Sequence, residues 1–372
     1  MGKKVGLATC FLDNYGACLQ AYALQEKIVQ LGHDCSIIPY VEPDGYEKEV
    51  SFAKLRWIKA RLQKNDALAR HYKRAALFSR FKKEKLRFEK EKGKVVYYQS
   101  YQQLKDAPPK YDAYVCGSDQ VWNPLFYNKN NPAYFLQFAQ DKKKVAYAPS
   151  IGLSALPEQY QEEFKQYVST FDALSTREDA GTKIVQEVGG RDCLTVLDPT
   201  LLVGGEFWKD KVKKPSGFPY KQYVFCYLFS NTEKVAAYVK EMQAVTGLPV
   251  VYLPVSDLVY DVDGRLVDAG PLEFLWLIQN ATFVLTDSFH CSAFSIMFHK
   301  DFSVIDRQRR GEDVNMSSRI VNLMRMAGIE NGFADVAKPY EKSAKIDYAA
   351  VDNNMQKYRD ESEAYLRKAL ED

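Results

Sequence analysis

The stretch at residues 5–38 reads VGLATCFLDNYGACLQAYALQEKIVQLGHDCSII, and its pattern changes twice. The apolar run at 5–8 predicts a strand, and apolar residues at helical spacing predict a helix over 17–31. Gly32 suits the end of that helix, and a second strand is predicted to begin at Cys35. Strand, helix and strand in this order form a βαβ unit, which implies a parallel sheet with helices on its faces.

The same alternation of short strands and helices recurs along the rest of the chain. In the first half it predicts strands at 113–116, 145–148, 173–176 and 194–197. In the second half it predicts strands at 224–228, 250–253, 282–285 and 302–305. Between the two sets, residues 200–222 combine glycines, lysines and prolines in the manner of a linker. We therefore predict an α/β fold of two Rossmann-like, doubly wound domains facing a cleft, where ligands bind.

These patterns also predict the domain boundaries. We expect an N-terminal domain at 1–203, with a basic helical insertion at about 50–95. A C-terminal domain that carries the His290 motif follows at 204–345. Residues 346–372 are expected to form a C-terminal helix that packs back on the N-terminal domain.

Charge is concentrated in one segment. The 51 Lys and Arg residues nearly balance the 48 Asp and Glu residues, so the net charge is only +3. Residues 54–94, however, hold 16 basic and 4 acidic residues, a net charge of +12 that leaves −9 for the remainder. Apolar residues at helical spacing indicate a basic amphipathic surface suited to an anionic membrane. A solvated helical excursion explains the pattern equally well, and we expect no nucleic-acid partner.

The remaining composition indicates a cytoplasmic protein. No apolar run approaches the roughly 20 residues that cross a membrane, and the N-terminus lacks the apolar core of a signal peptide. Seven cysteines without a CxxC pair indicate reduced, separately buried thiols rather than disulfides or a zinc site. We expect no metal, and a location in the cytoplasm or peripherally at the inner face of the membrane.

Residues 286–295, TDSFHCSAFS, are predicted to lie where a buried strand turns into a helix, which is predicted over 292–298. His290 would then lie at a helix N-terminus, where a histidine can exchange protons near neutral pH and N–H groups favour anions. His290 is therefore the candidate catalytic residue, with Ser288 and Ser292 as donor-binding candidates. The alternative is a histidine that only caps the helix or packs in the loop.

A second strand end carries Arg177, whose guanidinium can hold a phosphate or a carboxylate. We take Arg177 as a further donor-binding candidate. The alternative is an Arg–carboxylate pair that joins two structural elements.

Two further turns place polar residues beside an aromatic ring, a combination that suits a sugar. The candidates for binding an acceptor sugar are Asn14, Tyr15, Ser118, Asp119, Gln120, Trp122 and Asn123. Their hydroxyl, amide and carboxyl groups can hydrogen-bond sugar hydroxyls. The same residue types are also common in turns that bind nothing.

Taken in order, these motifs resemble the polysaccharide pyruvyl transferase family over roughly residues 3–330. The matching stretches are Asn14-Tyr15-Gly16-Ala17, Gly117-Ser118-Asp119-Gln120-Val121-Trp122, Ser175-Thr176-Arg177-Glu178, Asp198-Pro199-Thr200 and Thr286-Asp287-Ser288-Phe289-His290. The resemblance implies a fold like that of the GT-B glycosyltransferases. It also implies transfer of a pyruvyl group from phosphoenolpyruvate onto two hydroxyls of a sugar, which forms a cyclic ketal and releases phosphate. The acceptor would be a surface polysaccharide or its lipid-linked oligosaccharide precursor.

The resemblance further implies roles for two residues. His290 matches the family histidine taken as general acid or base, and Arg177 matches an arginine that contacts phosphoenolpyruvate. Phosphoenolpyruvate would be a co-substrate, and no other cofactor is implied.

One position departs from the family pattern. Characterised members often read Arg-Leu-His-Gly where this chain reads Ser288-Phe289-His290-Cys291. We expect Arg177, Lys300 or an arginine between Arg307 and Arg310 to replace the missing guanidinium. Two alternatives stay open: a GT-B glycosyltransferase that uses a nucleotide sugar, and a non-catalytic protein that binds carbohydrate or a lipid carrier.

Overall fold

The structure is a computed structural model that describes residues 2–41, 53–230, 232–253, 264–307, 318–341 and 345–371. The chain separates into two compact units. Unit 1 comprises residues 1–53, 79–203 and 357–372, and unit 2 comprises residues 54–78 and 204–356. The first residues of the predicted insertion, 50–52, lie outside the described residues.

Unit 1 contains a six-stranded sheet in which every neighbouring pair of strands is parallel. The strands of this unit are β1 (Lys4–Ala8), β2 (Asp34–Ile37), β3 (Lys90–Glu91), β4 (Lys94–Val95), β5 (Ala113–Cys116), β6 (Lys143–Ala146), β7 (Ala173–Thr176) and β8 (Leu194–Thr195). The order in the sheet is β2-β1-β5-β6-β7-β8. Strands β3 and β4, which lie between β2 and β5 in the sequence, form a separate antiparallel pair. The parallel order confirms the predicted βαβ arrangement.

Fourteen helices are found in the described part of the chain. They are α1 (Tyr15–Gln30), α2 (Ala53–Leu62), α3 (Asp66–Lys85), α4 (Tyr101–Asp106), α5 (Pro124–Tyr127), α6 (Glu158–Ser169), α7 (Asp179–Glu187), α8 (Pro199–Leu202), α9 (Gly204–Lys209), α10 (Glu233–Thr246), α11 (Pro271–Gln279), α12 (Phe289–Met297), α13 (Ser318–Ala327) and α14 (Tyr348–Glu371). Helices α2 and most of α3 belong to unit 2, whereas the sequence grouped them with the N-terminal domain.

Unit 2 contains a second six-stranded parallel sheet, in the order β11-β10-β9-β12-β13-β14. The strands are β9 (Val224–Tyr227), β10 (Val250–Tyr252), β11 (Gly264–Leu266), β12 (Phe283–Thr286), β13 (Phe302–Ile305) and β14 (Phe333–Ala334). The central strands β9, β12 and β13 are buried throughout, as expected for a parallel sheet covered on both faces.

Two local predictions need correction in this region. The expected linker at 200–222 contains helix α9, because Trp208 is fully buried and packs edge-on against Phe294, with ring centroids 5.3 Å apart. Helix α12 begins at Phe289 rather than at Ser292, because the Ser288 side chain caps it by accepting from the Cys291 N–H.

Trp122 is a core residue, which corrects its predicted place against a sugar. Its ring is buried, lies parallel to the Phe135 ring at 4.8 Å and meets the edge of Phe171 at 5.6 Å. Its indole N–H donates to the carbonyl of Tyr134 at 3.1 Å. Both faces and the polar atom of the side chain are therefore used inside unit 1.

The last part of α14 completes unit 1. The Leu197 N–H donates to the Ser362 hydroxyl at 2.9 Å, and the Tyr365 hydroxyl donates to the carbonyl of Ala146 at 2.9 Å. Lys27 forms an ion pair with Glu363 at 2.9 Å. None of the described helices is both long and apolar enough to pass through a lipid bilayer.

The burial of Trp122 predicts a large loss of stability in Trp122→Ala. Removing a buried aromatic ring costs about 3–5 kcal/mol, whereas truncating an exposed residue usually changes stability by less than about 0.5 kcal/mol. Urea denaturation followed by circular dichroism should show this loss, and Phe126→Ala, an exposed neighbour on α5, is the control. Equal midpoints for the two variants would contradict the core assignment.

Candidate functional site

The carboxyl ends of the strands in unit 1 bring together a buried network centred on Asp198. One of its carboxylate oxygens accepts from the Arg177 guanidinium at 2.9 Å and from the Ser118 hydroxyl at 3.0 Å. The other accepts from the N–H and hydroxyl of Thr200, at 2.9 Å and 2.7 Å. The network therefore joins the loops that follow β5, β7 and β8.

Two more carboxylates surround the Arg177 guanidinium, whose side chain is only 1% exposed. Asp119 lies 3.8 Å and Glu178 lies 3.9 Å from its nitrogens. Three carboxylates around one guanidinium leave this edge negatively charged, which disfavours a bound phosphate. These contacts agree with the alternative interpretation of Arg177, in which the arginine pairs with a carboxylate and joins two structural elements. Its predicted contact with the donor stays a prediction.

Most of the residues predicted to bind an acceptor sugar instead make hydrogen bonds or packing contacts within unit 1. The Asn14 side chain caps α1 by accepting from the Gly16 N–H at 2.9 Å, and Tyr15 is buried in the first turn. The Asn123 side chain caps α5, and its amide donates to the Gln120 side-chain oxygen at 3.0 Å. Asp119 keeps a partly exposed carboxylate at this edge.

Sequence reasoning missed Gln20, which links two strand ends. Its side-chain oxygen accepts from the Ser118 N–H at 3.0 Å, and its amide donates to the Thr9 hydroxyl at 2.8 Å. The loop after β5 also needs glycine at position 117, because φ is +120° and a Cβ there would lie 2.0 Å from the carbonyl oxygen of Tyr147. No sequence motif signals the Gln20 contact.

Lys82 is a second residue that sequence reasoning missed. Its ammonium group forms an ion pair with Asp13 at 2.8 Å, and both side chains are mostly buried. Burial alone would lower the pKa of Lys82, but the nearby Asp13 carboxylate outweighs burial and raises it. A charged lysine from the basic segment is thereby fixed beside the turn that precedes α1.

In unit 2, the start of α12 presents His290. Ser288 caps the helix, and His290 follows in the first turn with 8% of its surface exposed. The first-turn N–H groups of a helix favour an anion. Ser292, predicted to bind the donor, is fully buried and donates its hydroxyl to the Ser288 carbonyl at 2.9 Å, so that hydroxyl supports the helix.

A buried aspartate holds the loop before α12. The carboxylate of Asp287 accepts from the Phe229 N–H at 2.8 Å and from the N–H and hydroxyl of Ser230, each at 2.7 Å. These bonds join the loop after β9 to the loop after β12. They place the start of α12 in a fixed position relative to its neighbouring strand.

Arg307 brings a guanidinium to the same loop. It donates to the carbonyl oxygen of Asp287 at 3.0 Å, and its guanidinium carbon lies 4.4 Å from the centroid of the Phe229 ring. Asp287 directly precedes Ser288, the position at which the resemblance described above implies an arginine. Arg307 therefore places its positive charge next to Ser288, where the expected arginine is missing.

The other arginine substitutes that the sequence suggested are less well placed. Lys300 follows the C-terminal end of α12 and donates to the Gln279 carbonyl at 3.0 Å, which is at the opposite edge of the sheet from His290. Arg309 and Arg310 lie outside the described residues.

The cysteines near these residues are poor nucleophiles. Burial raises the pKa of Cys291 to about 12, and burial followed by the Asp119 charge raises the pKa of Cys10 to about 12. Only the thiolate attacks a carbon electrophile, so both thiols are unreactive at neutral pH.

We predict slow alkylation of Cys10 and Cys291 by iodoacetamide in the native protein. At pH 8 a thiol with this pKa is ionised in roughly one molecule in ten thousand, and the ionised fraction rises about tenfold with each pH unit. Peptide mass spectrometry should find both sites labelled in urea but not in buffer. Full native labelling at pH 8 would contradict these raised pKa values.

The Asp198 network predicts a large effect for Asp198→Asn. Loss of the carboxylate leaves the buried Arg177 guanidinium without its 2.9 Å ion pair, which we expect to reduce the free energy of unfolding by about 3 kcal/mol. The control Glu187→Gln breaks an exposed pair with Lys183 and should cost less than about 0.5 kcal/mol. Urea titration compares the two variants, and similar midpoints would show that Asp198 does not stabilise unit 1.

Comparison with solved structures shows the fold. The UDP-GlcNAc 2-epimerase of Methanocaldococcus jannaschii has a TM-score of 0.50 at 11% identity, covering 96% of this chain and 92% of that chain. The UDP-N-acetylglucosamine 2-epimerase of Rickettsia bellii has a TM-score of 0.48 at 10% identity, covering 96% and 95%. Arabidopsis thaliana UGT89C1 complexed with UDP-L-rhamnose has a TM-score of 0.48 at 9% identity, covering 99% and 94%. Together with the two parallel sheets, the first likeness confirms a GT-B-like fold of two Rossmann-like units.

The sequence comparisons identify the family. No curated protein matches the chain. A family model described as polysaccharide pyruvyl transferase matches residues 14–309, a range that begins at the cap of α1 and includes His290 and Arg307. The match covers most of the chain, and so the protein belongs to the polysaccharide pyruvyl transferase family.

Proposed function

We propose that this transferase moves the pyruvyl group of phosphoenolpyruvate onto two hydroxyls of one sugar, and that unit 2 binds the donor. The observation that carries the proposal is the position of Arg307, whose guanidinium contacts the residue before Ser288. The guanidinium that family members often carry at the helix cap is here supplied by the neighbouring strand end.

Phosphoenolpyruvate carries a phosphate and a carboxylate, and the start of α12 offers groups suited to both. The helix N-terminus attracts an anion through its N–H groups and its dipole. The Arg307 guanidinium adds a charge that can form two parallel hydrogen bonds to a carboxylate or phosphate. Its mostly buried position beside Phe229 reduces screening by water.

Asp287 acts as a positioning residue in this proposal. Its backbone carbonyl accepts from Arg307, while its carboxylate accepts three hydrogen bonds from Phe229 and Ser230. The carboxylate also lies 3.9 Å from the Arg307 guanidinium, so the aspartate fixes both the arginine and the helix start.

His290 supplies the proton transfers. A proton is added to the methylene carbon of phosphoenolpyruvate while the first sugar hydroxyl adds to C2 and gives up its proton. The bond between C2 and the phosphate oxygen then breaks, and inorganic phosphate leaves. The second hydroxyl adds to the resulting cation and loses its proton, which closes the ketal. An imidazole can give the first proton and accept a later one.

The acceptor in this proposal is a sugar of a surface polysaccharide or of its lipid-linked precursor, and the enzyme works in the cytoplasm. The partly exposed Asp119 carboxylate and the half-buried Gln120 are the unit 1 groups best placed to bind sugar hydroxyls. The basic segment 54–94 suits contact with an anionic membrane that carries such a precursor. Phosphoenolpyruvate is the co-substrate, and no further cofactor takes part.

Ligand binding separates this proposal from a nucleotide-sugar enzyme. A ligand that binds only the folded state raises the melting temperature, and we expect phosphoenolpyruvate to do so and UDP not to. The proposal fails if UDP stabilises the protein and millimolar phosphoenolpyruvate does not. Stabilisation by neither ligand, with no phosphate released across a panel of glycosides, favours a non-catalytic binding protein.

We predict different effects for variants of the two proposed donor-site residues. Arg307→Lys should weaken phosphoenolpyruvate binding by about tenfold or more, because lysine cannot form the forked hydrogen bonds. His290→Asn should bind the donor nearly normally but release phosphate about 100-fold more slowly or worse. Isothermal titration and a phosphate-release assay measure the two quantities.

Matched controls come from the same unit. Arg265→Lys changes another arginine that lies near an aromatic ring, and His299→Asn changes an exposed histidine paired with Asp352. Both should leave donor binding and phosphate release within about twofold. Donor binding by Arg307→Lys as tight as by Arg265→Lys would remove Arg307 from the proposed site.

A further inference from the structure

Helix α2 exposes a stripe of aliphatic side chains. Leu55, Ile58 and Leu62 are 62%, 43% and 80% exposed. Their spacing of three and four residues places them on one face of the helix. Ala53 and Ala60 lie on the other face and are buried, so α2 packs through small residues and turns its large apolar residues outward.

Cations surround this stripe. The sequence from 51 to 65 contains five basic residues and no acidic residue. Of these, Lys59, Arg61 and Lys64 are exposed, so the aliphatic stripe and the positive charge occupy the same outer surface. A surface helix of a globular protein normally has the reverse arrangement, with its apolar face turned inward.

We infer that α2 is a membrane-docking helix that binds an anionic lipid bilayer. Leu55, Ile58 and Leu62 enter the boundary between headgroups and acyl chains, and Lys59, Arg61 and Lys64 contact lipid phosphates. A helix with this composition lies in the plane of the interface and combines apolar burial with attraction to anionic lipid.

The charge distribution of the whole chain favours a bilayer over other anionic partners. Residues outside 54–94 carry a net charge of −9, so an extended anionic surface repels the rest of the protein and attracts this segment. A nucleic acid would satisfy the cations but would leave three aliphatic side chains without an apolar environment. A lipid surface satisfies both sets of side chains.

Vesicle co-sedimentation of the full-length protein tests this inference. We expect binding to vesicles of phosphatidylcholine with roughly one third phosphatidylglycerol, and little binding to phosphatidylcholine alone. The triple variant Leu55→Ser, Ile58→Ser, Leu62→Ser should lose about tenfold or more in partition coefficient. The double variant Lys59→Glu, Arg61→Glu should lose on the order of a hundredfold.

The matched control removes exposed aliphatic residues elsewhere in unit 2. Val245→Ser, Val321→Ser changes side chains that are 63% and 49% exposed on α10 and α13, and it should bind vesicles like the unchanged protein. All variants should keep phosphoenolpyruvate binding, so the outcome is independent of the proposed donor site.

Three results would overturn the inference. The first is the absence of binding to anionic vesicles. The second is unchanged vesicle binding by the serine variant, and the third is binding to a DNA duplex that is as tight as binding to vesicles and equally unaffected by the serine substitutions. Either of the last two shows that charge alone acts.

Discussion

A buried carboxylate at the carboxyl edge of each sheet is the interaction on which the candidate sites depend. In unit 1, Asp198 joins Arg177, Ser118 and Thr200, and in unit 2, Asp287 joins Phe229 and Ser230. Parallel strands end at one edge, but their loops need a shared partner to keep a fixed arrangement. A carboxylate suits this role because its two oxygens accept hydrogen bonds from several loops at once.

The carboxyl edges of the two sheets differ in charge and therefore suit different ligands. Around Arg177 the carboxylates outnumber the guanidinium, so the edge of unit 1 suits neutral hydroxyl groups better than phosphate. At the start of α12 a single carboxylate, that of Asp287, lies 3.9 Å from the Arg307 guanidinium and accepts three further hydrogen bonds, so the two charges balance there. Donor and acceptor binding are thus proposed on electrostatic grounds and not by motif position alone.

The sequence predicts elements well because strands and helices depend on local spacing. Most strands of the two sheets follow from apolar runs and turn residues, but β11 and β14 were not predicted and the start of α12 was placed three residues late. The ion pair between Lys82 and Asp13 could not be predicted, because it joins residues 69 positions apart. Trp122 was misread because a tryptophan beside polar turn residues suits a sugar as well as a core, and only packing against Phe135 decides between them.

The end of α14 determines when unit 1 can complete its fold. Ser362, Glu363 and Tyr365 contact the backbone or side chains of unit 1, yet they follow all of residues 204–356 in the chain. During synthesis the ribosome must therefore make unit 2 before the final helix of unit 1 emerges. All six strands of the N-terminal sheet are made before that interval, but the surface that the end of α14 covers stays exposed to solvent until the last residues emerge.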